Sequence, residues 1–164
     1  MQFLLLSLFA LGVAALDQVT KYLTVANIDL YQRLDFIPGV LNLTYVQNTG
    51  AAFSSFEGMQ WLFAGIFILF TVAFVYEYFK KPMPFTKLER WCIFAVYGGG
   101  LGNMIDRLRL GYVVDMIETD FMTFPVFNVA DCFITCGCIL LIGHLALFNK
   151  EFWMEGKNCS SPPI

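Results

Sequence analysis

The chain has 164 residues, of which 58 % are hydrophobic and only 14 % are charged, and 18 of them are Phe. A soluble domain of this length has too small an interior to hide so much apolar side chain, so we expect lipid to be its solvent. The formal net charge of −3 and the lack of a basic tract argue against nucleic acid as a partner.

An apolar run over residues 3–16 opens the chain and is followed by Asp17 and Lys21. Extended to about residue 26, it reaches the ~20 residues that a helix needs to cross a bilayer. A cleaved signal peptide is the alternative, but no Lys or Arg precedes the apolar run. We therefore predict a retained span over 3–26. Asp17 and Lys21 lie one helical turn apart, which is also typical of a purely structural ion pair.

Residues 27–60 are mixed in character, and apolar and polar residues alternate over 41–45 after a Pro38-Gly39 turn. This alternation predicts β-strand. Because open sheet edges cannot lie in hydrocarbon, we expect a small extracytoplasmic β-sheet between the first two helices. By residue type alone, Asn48 to Phe53 is a turn of small residues at its end.

Three further apolar runs predict spans over 61–79, 88–106 and 125–148, and we expect the polar tail over 155–164 to be loosely ordered. The chain is thus predicted to be a single, mainly α membrane domain with four transmembrane helices. The connector 80–90 holds four Lys and Arg residues, which places it and both termini in the cytoplasm. The same topology places at the outer face Asp17, Asn48, Asp115 and Asp131.

Asp115 and Asp131 are the candidate catalytic pair. We expect Asp131 in the first turns of the fourth span and Asp115 in the loop before it. Two carboxyls in a dry site cannot both ionise cheaply, so one pKa rises and the pair shares a proton. The ionised carboxylate can take a proton from water while the protonated one donates to a substrate carbonyl, which is peptide hydrolysis. The alternative for Asp131 is that it only stabilises a helix start. We favour that helix-start role for Asp106, Glu118 and Asp120.

Polar side chains near the pair suggest supporting roles. Asn103 and Arg107 share one helix face with Asp106, and Asn128 shares a face with Asp131. Asn128 could hold the Asp131 region or a substrate amide, and Arg107 could pair with a carboxylate or a lipid phosphate. A flat face for close helix packing is predicted by the glycines Gly98, Gly99, Gly100 and Gly102. A phosphate-binding loop is disfavoured because no lysine or preceding strand accompanies them.

The five cysteines lack the paired spacing of a zinc site, so we predict that they are small core residues. His144 is the only histidine, and we expect it to be packed or interfacial. A lone histidine excludes a zinc protease with an HExxH helix. We predict no metal and no cofactor.

Four stretches together resemble the lipoprotein signal peptidase (signal peptidase II) family of bacteria. They are Asp17–Lys21, Asn48–Phe53, Gly98–Ile117 and Phe127–Asp131, in the order and spacing of the family over nearly the whole chain. The resemblance implies a multi-pass intramembrane aspartic protease of the bacterial cytoplasmic membrane. Such enzymes cut the signal peptide from prolipoproteins just before a diacylglyceryl-modified cysteine, and the cyclic peptide globomycin inhibits them.

The resemblance also implies roles for individual residues. Asp115 and Asp131 fall at the positions of the catalytic dyad. The supporting and substrate-contacting positions fall on Asp17, Lys21, Asn48, Gly50, Asn103, Arg107 and Asn128. The implied partners are prolipoproteins bearing diacylglyceryl-cysteine, membrane lipids and globomycin-type inhibitors.

Two other function classes use the same polar cluster. A membrane transporter or proton conductor also carries intramembrane Asp, Asn and Arg, but this chain lacks an inverted repeat or a pair of broken helices. A purely structural protein would use the cluster to lock its helices together. In that case, replacing Asp115 with Asn would impair folding rather than activity.

Overall fold

The computed structural model describes residues 2–50, 60–80 and 84–149. Phe53 and the predicted tail over 155–164 lie outside the described residues. In chain order, the elements are α1 (Gln2–Asn27), β1 (Arg33–Ile37), β2 (Leu41–Asn48), α2 (Gln60–Lys80), α3 (Lys87–Leu110), β3 (Val113–Thr119) and α4 (Val129–Leu147). The prediction of a mainly helical protein with a small sheet is confirmed.

Helix α3 lies at the centre and packs most extensively against α4 and α1. An added Cβ at Gly98 would lie 2.5 Å from the Ala10 carbonyl of α1, and one at Gly99 would lie 2.6 Å from the Ala130 carbonyl of α4. At Gly100, it would lie 2.9 Å from a ring carbon of α2. The predicted close packing is confirmed, but the glycines do not form one flat face. Successive helical residues point about 100° apart, so each faces a different helix.

Local signals set the ends of the two helices that carry the polar cluster. Helix α3 begins with a capping box between Thr86 and Glu89 and ends at Gly111, whose φ of 83° is left-handed. Helix α4 begins later than the predicted residue 125, because the Asn128 side chain caps it by accepting the Asp131 N–H. The caps therefore define these boundaries more sharply than the apolar runs do.

The helices present broad apolar surfaces to their surroundings. Among the described helices, α1 and α4 are long and apolar enough to cross a membrane, and α2 contains the shorter apolar stretch Trp61–Tyr76. Leu8 on α1, Leu69 on α2 and Ile142 on α4 are exposed by 56 %, 70 % and 66 %. Lipid tails would solvate such surfaces, whereas water would not.

The sheet has three antiparallel strands in the order β1-β2-β3. The sequence placed the sheet entirely within 27–60 and Asp115 in a loop, and both predictions were wrong. Asp115 lies on β3, opposite Val46 of β2. Strand β3 buries Val114 and Met116 against Tyr45. Pairing with a strand so distant in sequence has no local signature, so periodicity within 27–60 could not reveal it.

The cysteine prediction is correct only in part for the four cysteines that the structure describes, and Cys159 lies outside the described residues. Cys92 is buried, Cys132 and Cys138 are half-buried and Cys136 is exposed. The predicted packed role of His144 is confirmed, because its Nδ1 lies 2.8 Å from the buried Glu89 carboxylate at the α3–α4 interface.

Candidate active site

Asp115 lies on β3 with 2 % of its surface exposed, where the strand meets the ends of α3 and α4. Its Oδ1 accepts a hydrogen bond from Asn128 Nδ2 at 2.6 Å, and its Oδ2 accepts one from Asn48 Nδ2 at 2.9 Å. Burial raises the pKa of Asp115 to about 6, and the nearby Asp131 charge adds to the rise, although both amide donors oppose it. The Asp115 carboxyl therefore keeps its proton to a higher pH than an exposed aspartate would.

Asp131 lies in the first turn of α4 and is partly exposed. Its Oδ1 accepts a hydrogen bond from Asn103 Nδ2 at 2.8 Å, and its Oδ2 accepts one from the Asn128 backbone N–H at 3.2 Å. The second bond belongs to the capping box of α4. Asp131 therefore both stabilises the start of α4 and belongs to the polar cluster.

Asn128 joins the two aspartates and is fully buried. Its Nδ2 donates to Asp115 and also lies 3.1 Å from Asn103 Oδ1, while its Oδ1 accepts the Asp131 N–H at 2.9 Å. Because both the nitrogen and the oxygen of this amide are hydrogen-bonded, the side chain cannot rotate freely. Asn128 therefore holds β3 and the start of α4 in one fixed relation.

The predicted ion pair on α1 exists, and it is connected to this cluster. Lys21 Nζ lies 2.8 Å from Asp17 Oδ2, 3.0 Å from Asp106 Oδ2 and 2.8 Å from Asn103 Oδ1. Asp17 Oδ1 accepts the Ala130 N–H of α4 at 3.0 Å. Lys21 is only 3 % exposed, and such a buried charge is tolerated because its partners surround it.

Arg107 lies on α3, one helical turn beyond Asn103. Its guanidinium donates to the carbonyls of Gly50 at 3.2 Å and Asn103 at 3.3 Å, and it lies 4.6 Å above the ring of Phe63. The Gly50 N–H donates in turn to Asn48 Oδ1 at 3.0 Å. Arg107 therefore holds the segment after β2 against α3 through these two carbonyls. Its pairing with a carboxylate or a lipid phosphate stays a prediction.

The helix-start role predicted for three acidic residues was wrong. Asp106 lies near the end of α3, is 3 % exposed and accepts a hydrogen bond from Gln18 at 2.7 Å. Glu118 and Asp120 lie at the end of β3 and just beyond it, where both pair with Arg33. No role for Gln18 was predicted from the sequence. The one signal that placed Asp106 in the polar cluster was its position on the same face of an apolar helix as Asn103.

The structure thus joins all nine predicted site residues through hydrogen bonds or ion pairs. Among the described residues, each carboxyl of the pair accepts two N–H donors, whereas carboxylate oxygens offer about four acceptor positions. Within this part of the chain, both groups therefore keep acceptor capacity for a water molecule or a substrate amide. One aspartate with a raised pKa beside a second carboxylate is an arrangement suited to acid–base hydrolysis.

Comparisons with known proteins identify relatives of this chain. The sequence model of the family described as Signal peptidase (SPase) II matches residues 9–147. The lipoprotein signal peptidase of Enterococcus faecalis is 46 % identical over 149 residues, which is 89 % of each chain. That of Streptococcus agalactiae serotype Ia is 41 % identical over 151 residues, covering 92 % of this chain and 96 % of the relative.

Solved structures match the fold as well. One bacterial membrane enzyme, solved at 2.3 Å, superposes with a TM-score of 0.78 at 33 % identity, covering 98 % of this chain and 93 % of that one. A second, solved at 1.9 Å, gives a TM-score of 0.75 at 36 % identity, covering 90 % and 92 %.

Proposed function

The chain belongs to the signal peptidase II family, and we propose that Asp115 and Asp131 are the catalytic pair with which it cleaves prolipoproteins. The family consists of aspartic proteases, which favours hydrolysis over the transporter alternative. One observation supports the pair above all: Asn128 bonds both aspartates through a single buried side chain. The cut is made just before the diacylglyceryl-modified cysteine of the substrate.

The surroundings of the two carboxyls suggest a division of labour. Asp131 is partly exposed and acts as the base that takes a proton from water. The water oxygen attacks the scissile carbonyl carbon while Asp115, whose pKa is about 6, donates its proton to the carbonyl oxygen. The tetrahedral species then collapses: the C–N bond breaks, the proton on Asp131 passes to the leaving amine, and Asp115 regains its own. No covalent intermediate forms.

The exposed apolar faces support a location in the bacterial cytoplasmic membrane. Four spans follow if α1 to α4 all cross the bilayer, with both termini in the cytoplasm. The site then lies near the outer face, since it is built at the C-terminal end of α3 and the N-terminal end of α4. The signal helix of the substrate enters sideways from the lipid, and its acylated cysteine lies beneath the sheet. Globomycin-type inhibitors would occupy the same space.

The pair is tested by the variants Asp115→Asn and Asp131→Asn, assayed with a purified diacylated prolipoprotein in detergent. Removing either acid–base group should lower turnover by about 10²–10⁴-fold. Asp35→Asn, which changes an exposed carboxylate on β1, is the matched control and should retain full activity.

Thermal unfolding of the same samples separates catalysis from folding. The variants should unfold cooperatively, as the parent protein does, and parent cleavage should stop when globomycin is added. A folded Asp131→Asn protein that processes the substrate at the parental rate would remove Asp131 from the mechanism. The same result for Asp115→Asn would remove Asp115.

A further inference from the structure

Asp106 is a buried carboxylate that the proposed mechanism does not use. It lies on α3, one turn beyond Asn103, and its donors come from two other elements. Gln18 Nε2 of α1 donates to Oδ1 at 2.7 Å, and Lys21 Nζ of α1 lies 3.0 Å from Oδ2. The backbone N–H of Val114 on β3 donates to Oδ2 at 3.0 Å. One side chain thus ties three elements together.

The contact with β3 leads directly to Asp115. Val114 is the residue before Asp115, so the Asp106 carboxylate anchors the Val113–Val114 peptide unit, one unit before that aspartate, to helix α3. The Val114 side chain is 1 % exposed and packs against Tyr45 on the sheet. Because both the backbone N–H and the side chain of Val114 are held, the strand is fixed just before Asp115, and this restricts the direction of the Asp115 carboxyl.

A second path leads from Asp106 to Asp131. Lys21 contacts Asp106 Oδ2 and also donates to Asn103 Oδ1 at 2.8 Å. The other end of the same Asn103 amide, Nδ2, donates to Asp131 Oδ1 at 2.8 Å. The negative charge of Asp106 helps to hold Lys21, and Lys21 fixes which end of Asn103 faces Asp131. A flipped amide would present an oxygen to the Asp131 carboxylate, which is repulsive.

We propose that Asp106 is a positioning residue for catalysis, which orients Asp115 through the Val114 N–H and Asp131 through Lys21 and Asn103. This role rests on the proposed function of the two aspartates. Asp106 itself contacts neither of them and needs no contact with substrate. Its loss should therefore lower kcat and leave KM nearly unchanged, because misplaced catalytic groups slow the chemical step.

The test compares Asp106→Ala and Asp106→Asn with the parent protein and with the Asp35→Asn control. The alanine variant loses both paths, and kcat should fall by up to about 10²-fold with KM within about twofold of the parent. The asparagine variant keeps an oxygen for the Val114 N–H but loses the charge that faces Lys21. The kcat of Asp106→Asn should lie between that of Asp106→Ala and that of the parent protein. Hydrogen–deuterium exchange of the peptide spanning 113–119 should rise in Asp106→Ala and much less in Asp106→Asn.

Two outcomes for Asp106→Ala would overturn the role. The first is a folded protein with parental kcat. The second is a loss of kcat that comes with no added exchange in 113–119 and is not partly restored in Asp106→Asn. If the alanine variant does not fold, the asparagine variant decides, and parental kcat there would reject the role. Asp115→Asn is assayed alongside: its activity would reject the proposed pair, whereas a fully active Asp106→Ala beside an inactive Asp115→Asn would reject only the positioning role.

Discussion

Asn128 donates its side-chain amide to Asp115 at 2.6 Å while the oxygen of the same amide caps helix α4. The start of the helix and the candidate site are therefore one structure. A cap is worth about 1 kcal/mol to a helix, and here it also fixes the distance between a strand and the helix that carries Asp131. Stability and catalytic geometry therefore both depend on this side chain.

The first prediction concerns the pH dependence of cleavage. The pKa of Asp115 is raised from its ordinary 3.8 to about 6, mainly by burial. The proposed mechanism uses the protonated form, which predominates below pH 6 and is lost above it. We expect kcat/KM, which reports the free enzyme, to fall as pH rises through about 6, by roughly tenfold per further unit.

The measurement is a profile of kcat/KM for a diacylated peptide between pH 5 and 8, with enzyme stability confirmed at each pH. A profile that is flat across this range, or that rises with pH, would contradict the assignment of the proton to Asp115.

The second prediction concerns the buried lysine. Lys21→Met leaves the carboxylates of Asp17 and Asp106 without their cation in a buried site. Breaking a buried pair in this way costs about 3–5 kcal/mol of unfolding free energy. Lys87→Met, at the exposed start of α3 about 24 Å along the helix axis from Asn103, is the matched control and should change little.

Unfolding in detergent, followed by circular dichroism, measures both lysine variants. Adding Asp17→Asn to Lys21→Met should restore part of the loss, because one of the stranded charges is then removed. Equal stability of Lys21→Met and Lys87→Met would show that the ion pair contributes nothing.

The third prediction concerns the close packing of α3 on α4. A Cβ at Gly99 would meet the Ala130 carbonyl at 2.6 Å and Ile134 Cγ1 at 2.9 Å, so Gly99→Ala must push the helices apart. Such overpacking costs about 1–3 kcal/mol, and displacement of the α4 start should also reduce kcat. Gly143→Ala on α4 meets nothing within 4 Å and is the control.

The control should be neutral or slightly stabilising, since alanine is favoured over glycine in a helix by about 1 kcal/mol. Thermal midpoints and turnover of both variants give the answer. Gly99→Ala with parental stability and kcat would argue against the close contact.

The fourth prediction concerns a buried carboxylate at the other end of α3. Glu89 is fully buried and accepts hydrogen bonds from Asn149 at 2.7 Å and the Thr86 N–H at 2.7 Å, and His144 Nδ1 lies 2.8 Å away. Glu89→Ala removes the buried acceptor that these groups share, which should cost about 1–3 kcal/mol. Because the candidate pair lies near the opposite end of α3, on β3 and α4, kcat should remain parental.

Thermal unfolding and a cleavage assay on Glu89→Ala, beside Asp35→Asn, measure this separation. A large fall in kcat at temperatures where Glu89→Ala is still folded would mean that the two ends of α3 are coupled, against the prediction.

Much of the site was predictable because its signals are local. The apolar runs located the helices, and the spacing of Asp17 from Lys21 predicted their ion pair, which the structure contains at 2.8 Å. The motifs around Asp115 and Asp131 led to the family, and the family match over 9–147 confirms that inference. These features depend on residues a few positions apart, so their physics can be recognised in the linear chain.

The sequence alone thus determined which polar residues are available to the site and where helical periodicity occurs. Tertiary structure decided that Asp115 lies on a strand, that consecutive glycines face three different helices, and that Asp106 faces Lys21 and Val114 rather than capping a helix. The physical reason is distance along the chain. Strand β3 pairs with a strand more than 60 residues away, and the donors to Asp106 come from α1 and β3. Such partners are selected by packing across the fold, and no local pattern encodes them.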